Sequence, residues 1–190
     1  MQDRIARDIQ DNIRVKEALL ADFVPLIEKA SQTVYQAVRN GRKVLFFGNG
    51  GSASDSQHLA AELVGRYEKE RKGLAAIALT TDTSILTAVG NDYGYDKIFE
   101  RQIEALGQKG DVAFGISTSG NSKNVLLGIR KAKAQGLHTI GLSGKDGGEL
   151  KSLADLSIVV PSEKTARIQE AHILIGHIIC ERVDELYLNP

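Results

Sequence analysis

One cysteine, Cys180, is all this chain of 190 residues contains. No disulfide can form within it, and a reducing compartment is expected. Cys180 sits in an apolar helical run and reads as a core thiol. Charge of one sign is missing too: 24 Lys and Arg balance 24 Asp and Glu. A neutral chain is not built to neutralise a nucleic-acid backbone, so no nucleic-acid partner is expected. No apolar run approaches the ~20 residues that a membrane-spanning helix needs, so no membrane segment is expected either. The first residues, MQDRIARDIQ, are polar and mixed in charge, unlike a signal or transit peptide. On these grounds a cytoplasmic protein is expected. No linker and no low-complexity segment divides residues 1–190, which are read as a single domain.

What is present is a stretch that occurs twice. Lys43 to Ser54 read KVLFFGNGGSAS, and Asp111 to Ser122 read DVAFGISTSGNS. Each is a short apolar run ending in a loop of Gly, Ser, Thr and Asn that leads into a helical pattern. Such a loop points N–H groups and hydroxyls at one spot beside the positive end of a helix dipole, which makes an anion site, most often for phosphate. Two of them imply a ligand gripped from two sides.

The rest of the pattern is alternating. Apolar runs at Lys43–Phe47, Leu74–Leu79, Asp111–Ser117, His138–Gly144 and Leu156–Pro161 read as buried strands, with helical patterns between most of them, notably Ser54–Tyr67 and Lys123–Gln135. Continuous apolar strands alternating with helices predict an α/β fold, a parallel sheet of five strands covered on both faces. Ligands bind such sheets at the carboxyl ends of the strands, where both loops fall. Ahead of the first strand, Ile5, Ile9, Ile13 and Leu20 recur at helical spacing. A break is expected near Pro25, then a second helix to Val38 stopped by Asn40-Gly41. These N-terminal helices stand outside the alternation, and their apolar faces suit the sheet or another subunit. The last helix is expected from Thr165 to Leu188; between Ala171 and Cys180 it is apolar nearly all round, which favours a subunit interface.

Several residues carry chemistry. Ser117, Thr118, Ser119 and Ser122 put four hydroxyls around one turn. Ser122 suffices as a helix N-cap, so the excess points to phosphate or sugar. Asn49, Gly50, Gly51 and Ser52 form the first loop. Gly48, Gly50 and Ala53 also satisfy a lax dinucleotide fingerprint, with Asp82 as the ribose acid, but that reading leaves the second loop unexplained. His58 and Glu62, four apart, share a helix face, either as a solvated intrahelical pair or as part of a site. Gln169 and His177 are eight apart, about 80° around the axis. His177 lies in ILIGHII, where an unpaired imidazole is costly, so it needs a hydrogen bond, a metal or a substrate. Were the two helices to meet, two imidazoles, a carboxylate and an amide would converge, a set that suits zinc with an open position.

With these residues in view, the chain resembles the sugar isomerase (SIS) domain family, and within it the bacterial phosphoheptose isomerases. The matching segments are GNGGSASDSQHLAAELVGRY (Gly48–Tyr67), VGNDYGY (Val89–Tyr95), GDVAFGISTSGNS (Gly110–Ser122), LSGKDGG (Leu142–Gly148) and ARIQEAHILIGH (Ala166–His177). The resemblance covers essentially the whole chain. It implies a three-layer αβα sandwich of the flavodoxin-like kind, a homotetramer that uses residues 1–40 in assembly, and an active site shared between subunits. It implies conversion of sedoheptulose 7-phosphate to D-glycero-D-manno-heptose 7-phosphate through an enediol, the first step toward the nucleotide-activated heptoses of lipopolysaccharide. One zinc ion per subunit is implied, with His58, Glu62, Gln169 and His177 as ligands. The implied substrate contacts are Asn49, Gly50, Gly51, Ser52, Glu62, Asn91, Asp92, Ser117, Thr118, Ser119, Ser122 and Gln169. Glu62 is expected to be the catalytic base and His177 its acid/base partner. Two other readings use the same scaffold: a non-catalytic tetrameric adaptor, like the relative that binds the replication initiator DnaA, and an isomerase for another phosphosugar. The His58–Glu62 pair and the Gln169–His177 helix favour the heptose enzyme over both.

Overall fold

The structure, a computed structural model, describes residues 1–189. Two helices come first, α1 (Gln2–Asp22) and α2 (Val24–Arg39). Then follow β1 (Val44–Gly48), α3 (Gly51–Val64), β2 (Ala76–Ala78), α4 (Thr83–Tyr93), a 3-10 turn (Tyr95–Lys97) and α5 (Ile98–Leu106). The chain continues through β3 (Val112–Ser117), α6 (Lys123–Ala134), β4 (His138–Gly144), the one-turn α7 (Leu150–Leu153), β5 (Leu156–Val160) and α8 (Thr165–Leu188).

The five strands form one sheet in the order β2-β1-β3-β4-β5, and every pairing is parallel. Side chains alternate across it. On one face Val44, Phe46, Phe114, Ile140 and Ile158 pack under α2, α3 and α8, and α1 packs on α2 and α8. On the other, Leu45, Phe47 and Ala113 pack under α5, α6 and α7. Phe46 lies 5.3 Å from Phe114 on the first face, and Phe47 lies 5.3 Å from Phe99 on the second. The result is the αβα sandwich expected from the alternation.

The predicted strands and the long C-terminal helix form as the patterning requires. The break between α1 and α2 falls at Phe23, and Pro25 sits in the first turn of α2, where its missing N–H costs nothing. The helix after the first loop begins at Gly51 rather than Ser54, because Gly50 takes a positive φ of 56° and turns the chain straight into it. Asn91 and Asp92, whose composition with Tyr93 and Gly94 reads as a turn, lie in the last turn of α4. Gly94 (φ 89°) ends that helix. Asp82 caps α4, its side chain accepting from the Ile85 N–H at 2.9 Å, so it is not a ribose acid.

Order β2-β1-β3 is what builds the site. After β1 the chain moves to one side of that strand; β3 then adds on the other. Helix α3 packs on one face of the sheet and α6 on the opposite face, so their N-termini flank a crevice at the carboxyl ends of β1 and β3. That is the topological switch point of an open parallel sheet.

Candidate active site

Both Gly/Ser loops open at this crevice. A Cβ on Gly48, the last residue of β1, would stand 2.7 Å from the Ile116 carbonyl and 2.7 Å from Ser52 Cβ. Only glycine lets the first turn of α3 approach β3 so closely. Asn49 then bridges to the other loop. Its amide and that of Asn124 exchange two hydrogen bonds of 2.9 Å, and Asn124 Oδ1 also accepts from the Val125 N–H at 2.9 Å. Tyr95 Oη donates to Asn49 Oδ1 at 3.0 Å, bringing the 3-10 turn to the same spot.

In the second loop Ser122 occupies the N-cap of α6, yet its hydroxyl caps no backbone group. It meets Ser117 Oγ at 3.0 Å instead. Ser119 Oγ accepts from the Asn121 N–H at 3.2 Å. Gly120 (φ 66°) lies against the carbonyl of Gly147, and Leu150 N–H donates to the Gly120 carbonyl at 3.0 Å. The LSGKDGG segment thus braces the serine loop from behind. Thr118 and Ser119 remain half-buried at the rim. Asn91 and Asp92 are exposed at the end of α4, joined to each other at 2.9 Å.

Helices α3 and α8 run side by side in the same direction. Near the start of both, a Cβ at Gly51 would collide with the Gln169 side-chain amide. Farther along, a Cβ at Gly176 would come 2.5 Å from Leu59 Cδ2, so the missing side chain lets the helices close. At this level the histidines meet. His58 Nε2 lies 2.9 Å from His177 Nε2 and 3.3 Å from Glu62 Oε1. One donor atom from each of His58, Glu62 and His177 falls within 4.8 Å of the others, which makes a cluster able to hold a metal ion. Two nitrogens at ~2 Å from a tetrahedral ion stand roughly 3.3 Å apart, close to the spacing found, so the donors fit a divalent metal with little movement. Gln169, two turns before His177 on α8, has its side-chain amide against Gly51 of the first loop. Tyr67 completes the surroundings, its ring 5.9 Å from that of His177.

Asp55 lies one turn before His58. Burial pushes its carboxyl above the usual range, opposed by the nearby His58, and its Oδ2 has no hydrogen-bond partner. His172, between the two functional residues of α8, is a core histidine. Its Nε2–H donates to the Ser143 carbonyl at 3.0 Å, while burial pushes its pKa down to about 4.

The SIS-domain family model matches residues 9–144. Among curated proteins, the phosphoheptose isomerase of Clostridium acetobutylicum is 54% identical over 187 residues, 97% of this chain and 95% of that one. The chain belongs to the phosphoheptose isomerase family of SIS proteins. A solved phosphoheptose isomerase from Neisseria gonorrhoeae superposes with a TM-score of 0.91 at 45% identity, covering 97% of this chain and 98% of that one. Another from Francisella tularensis gives 0.94 at 38% identity, with the same coverage. This phosphoheptose isomerase fold accounts for the leading helices and the five-stranded sheet alike.

Three participants were not singled out from sequence. Asn124 is buried and ties the two loops together; its signal was a second amide two residues beyond Ser122. Tyr95 lies at the end of VGNDYGY, where nothing in the local pattern gives it a role. Tyr67 closes the first matching segment, but nothing in the spacing joins it to His177.

Proposed function

We propose that the protein isomerises sedoheptulose 7-phosphate to D-glycero-D-manno-heptose 7-phosphate, an aldose–ketose interconversion. The observation that carries this reading is the approach of His177 to the carboxylate end of Glu62, within one protomer and beside two anion-binding loops. A phosphate-binding scaffold alone has no need of that pair. Curated relatives that align over nearly the full chain are named phosphoheptose isomerase.

The phosphate is assigned to Ser52, Ser117, Thr118, Ser119 and Ser122, with the backbone of Gly50 and Gly51 at the positive end of α3. Asn49, Asn91, Asp92 and Gln169 are assigned to the sugar hydroxyls. Anchoring the far end of a seven-carbon chain positions C1 and C2 without touching them, so remote binding energy goes into orientation. Glu62 then takes a proton from C1 of the ketose. His177 moves the hydroxyl proton between O1 and O2 as the enediol forms and collapses. The proton held by Glu62 returns to C2, giving the aldose, so no atom is gained or lost. Glu62 Oε1 faces His58 at 3.3 Å, and Oε2 is the oxygen assigned to the carbon-bound proton. A zinc ion, one per subunit, held by His58, Glu62, Gln169 and His177, would supply Lewis acidity toward the sugar's carbonyl and hydroxyl oxygens.

The same reading extends to assembly and setting. Residues 1–190 act as one SIS domain in a cytoplasmic homotetramer, at the first step of heptose biosynthesis for lipopolysaccharide and related glycans. Residues 1–40 are assigned to the subunit contacts: Ile5, Ile9 and Ile13 form an exposed apolar stripe on α1, which a lone chain leaves in water. Among the described residues no helix is long and apolar enough to cross a membrane.

The test is direct. Sedoheptulose 7-phosphate is incubated with the metal-loaded protein and followed by NMR. New anomeric signals of the aldose phosphate are expected. Their absence at enzyme concentrations that bind the substrate would leave only a ligand-holding scaffold.

A further inference from the structure

The segment after α3, Gly65–Ala75, is irregular, and most of its charged residues face solvent. Arg71 is the exception. Its side chain is only 1% exposed, and that of its partner, Asp184 of α8, only 3%. The guanidinium spends its donors on two different elements. Nε donates to Asp184 Oδ1 at 2.5 Å. Nη2 donates to the main-chain carbonyl of Glu62 at 2.9 Å, and Nη1 to that of Leu63 at 2.8 Å. Nη1 also reaches the carbonyls of Gly65 at 3.3 Å and Lys72 at 3.2 Å.

The carbonyls of Glu62, Leu63 and Gly65 are at the C-terminus of α3, where helix geometry leaves acceptors unpaired and the dipole favours a cation. One of them belongs to Glu62 itself. Asp184 stands seven residues after His177, two turns along α8 and on the same face. A single planar group therefore holds the backbone of the carboxylate residue against the helix that carries the second imidazole.

We propose that Arg71 and Asp184 are positioning residues for the His58–Glu62–His177 cluster. They fix the longitudinal register of α3 on α8. Leu59 seated over Gly176 brings the helices close through an apolar contact, and the Arg71–Asp184 pair adds a directional polar contact between them. Among the described residues, Arg71–Asp184 is the one ion pair joining the segment that closes α3 to α8. Asp184 Oδ2 is buried and makes no hydrogen bond within the chain. Buried pairs of this kind contribute little against apolar residues of the same size, and their better-attested effect is registry. Arginine is required because only its fork reaches a carboxylate and several carbonyls at once.

The inference rests on the reading of the cluster as a metal and catalytic site, and its test separates the two. The full-length variants are Arg71→Lys, which keeps the charge and loses the fork, and the double variant Arg71→Met/Asp184→Leu, which replaces the pair by apolar groups. Cobalt(II) titration by visible absorption, in competition with a chelator, reads the cluster without any turnover. Steady-state assays on sedoheptulose 7-phosphate then separate kcat from KM. In each folded variant, cobalt affinity is expected to fall about tenfold or more, as for other groups that orient metal ligands. A displacement of order 1 Å is expected to lower kcat by roughly 100-fold, with KM changed less than about threefold because the phosphate loops lie elsewhere. A purely structural role would lower Tm and leave cobalt affinity and kcat per folded molecule in place, and that result overturns the proposal. Should the double variant not fold, Arg71→Lys decides alone: wild-type cobalt affinity in it overturns the proposal. Wild-type protein that binds cobalt and does not turn over the sugar phosphate defeats the enzymatic reading and leaves the cobalt result to judge the clamp.

Discussion

His58 and His177 are 119 residues apart in sequence, and their Nε2 atoms lie 2.9 Å apart in space. Two imidazole nitrogens that face each other across a helix pair, with a carboxylate oxygen 3.3 Å from one of them, form a donor set that a solvated polar face has no reason to assemble.

Glu62→Gln and His177→Ala are therefore expected each to lower kcat by at least about 100-fold, the scale of general acid–base catalysis, with KM little changed. Initial-rate measurements on protein with unaltered circular dichroism check this. Near-normal kcat in either variant removes that residue from the mechanism.

Ser122 offers a cleaner separation of binding from folding. Its hydroxyl meets Ser117 Oγ and caps no backbone N–H. Ser122→Ala should leave the helix cap energetics nearly unchanged, well below the ~1 kcal/mol that loss of a working cap costs. KM for the sugar phosphate should rise about tenfold, the effect of removing one hydrogen bond of roughly 1.5 kcal/mol to a charged ligand. Thermal melts and a KM determination on one preparation test both halves.

His172 makes stability depend on pH. Its Nε2–H donates to the Ser143 carbonyl, and Nδ1 is buried without a partner, so a second proton would find no acceptor. The folded pKa is about 4, below the ordinary 6.5. Between these values the unfolded chain binds the proton and the folded chain does not, so stability is whole above about pH 6.5 and falls as the pH drops toward 4. The loss from this one group approaches about 3 kcal/mol. His172→Gln should flatten that part of the profile, as read by denaturant midpoints from pH 7 to pH 4.

Cys180 should be inert. It is buried, and desolvation together with Glu62 and Asp184 pushes its thiol up to about 12. The nucleophile is the thiolate, which this environment suppresses. Iodoacetamide at pH 8 is expected to leave the native protein unmodified by mass spectrometry and to alkylate it fully in denaturant.

Legibility followed the kind of signal. Helix α8 was bounded in sequence at Thr165 and Leu188, and it spans those residues. Long, strongly apolar patterning leaves little alternative. Helix α4 leaves no clear mark in the sequence, because none of its residues is buried and its end, Asn-Asp-Tyr-Gly, has the composition of a turn. The sequence pattern starts α3 at Ser54, three residues after its first residue Gly51, because glycines that open a helix under an anion site look like loop.

The amino-acid order by itself determined the two hydroxyl-rich loops and the parallel sheet, since both follow from short-range pattern; the apolar run around His177 suggested a buried imidazole, whereas it is only half-buried, at the edge of the cluster. Tertiary structure decided which groups it meets. Only the strand order sets α3 and α6 on opposite faces of one crevice, and only a bare Gly176 beneath Leu59 lets α3 and α8 close until two imidazoles and a carboxylate meet. Such contacts join residues more than a hundred positions apart, and local sequence carries no record of distance through space.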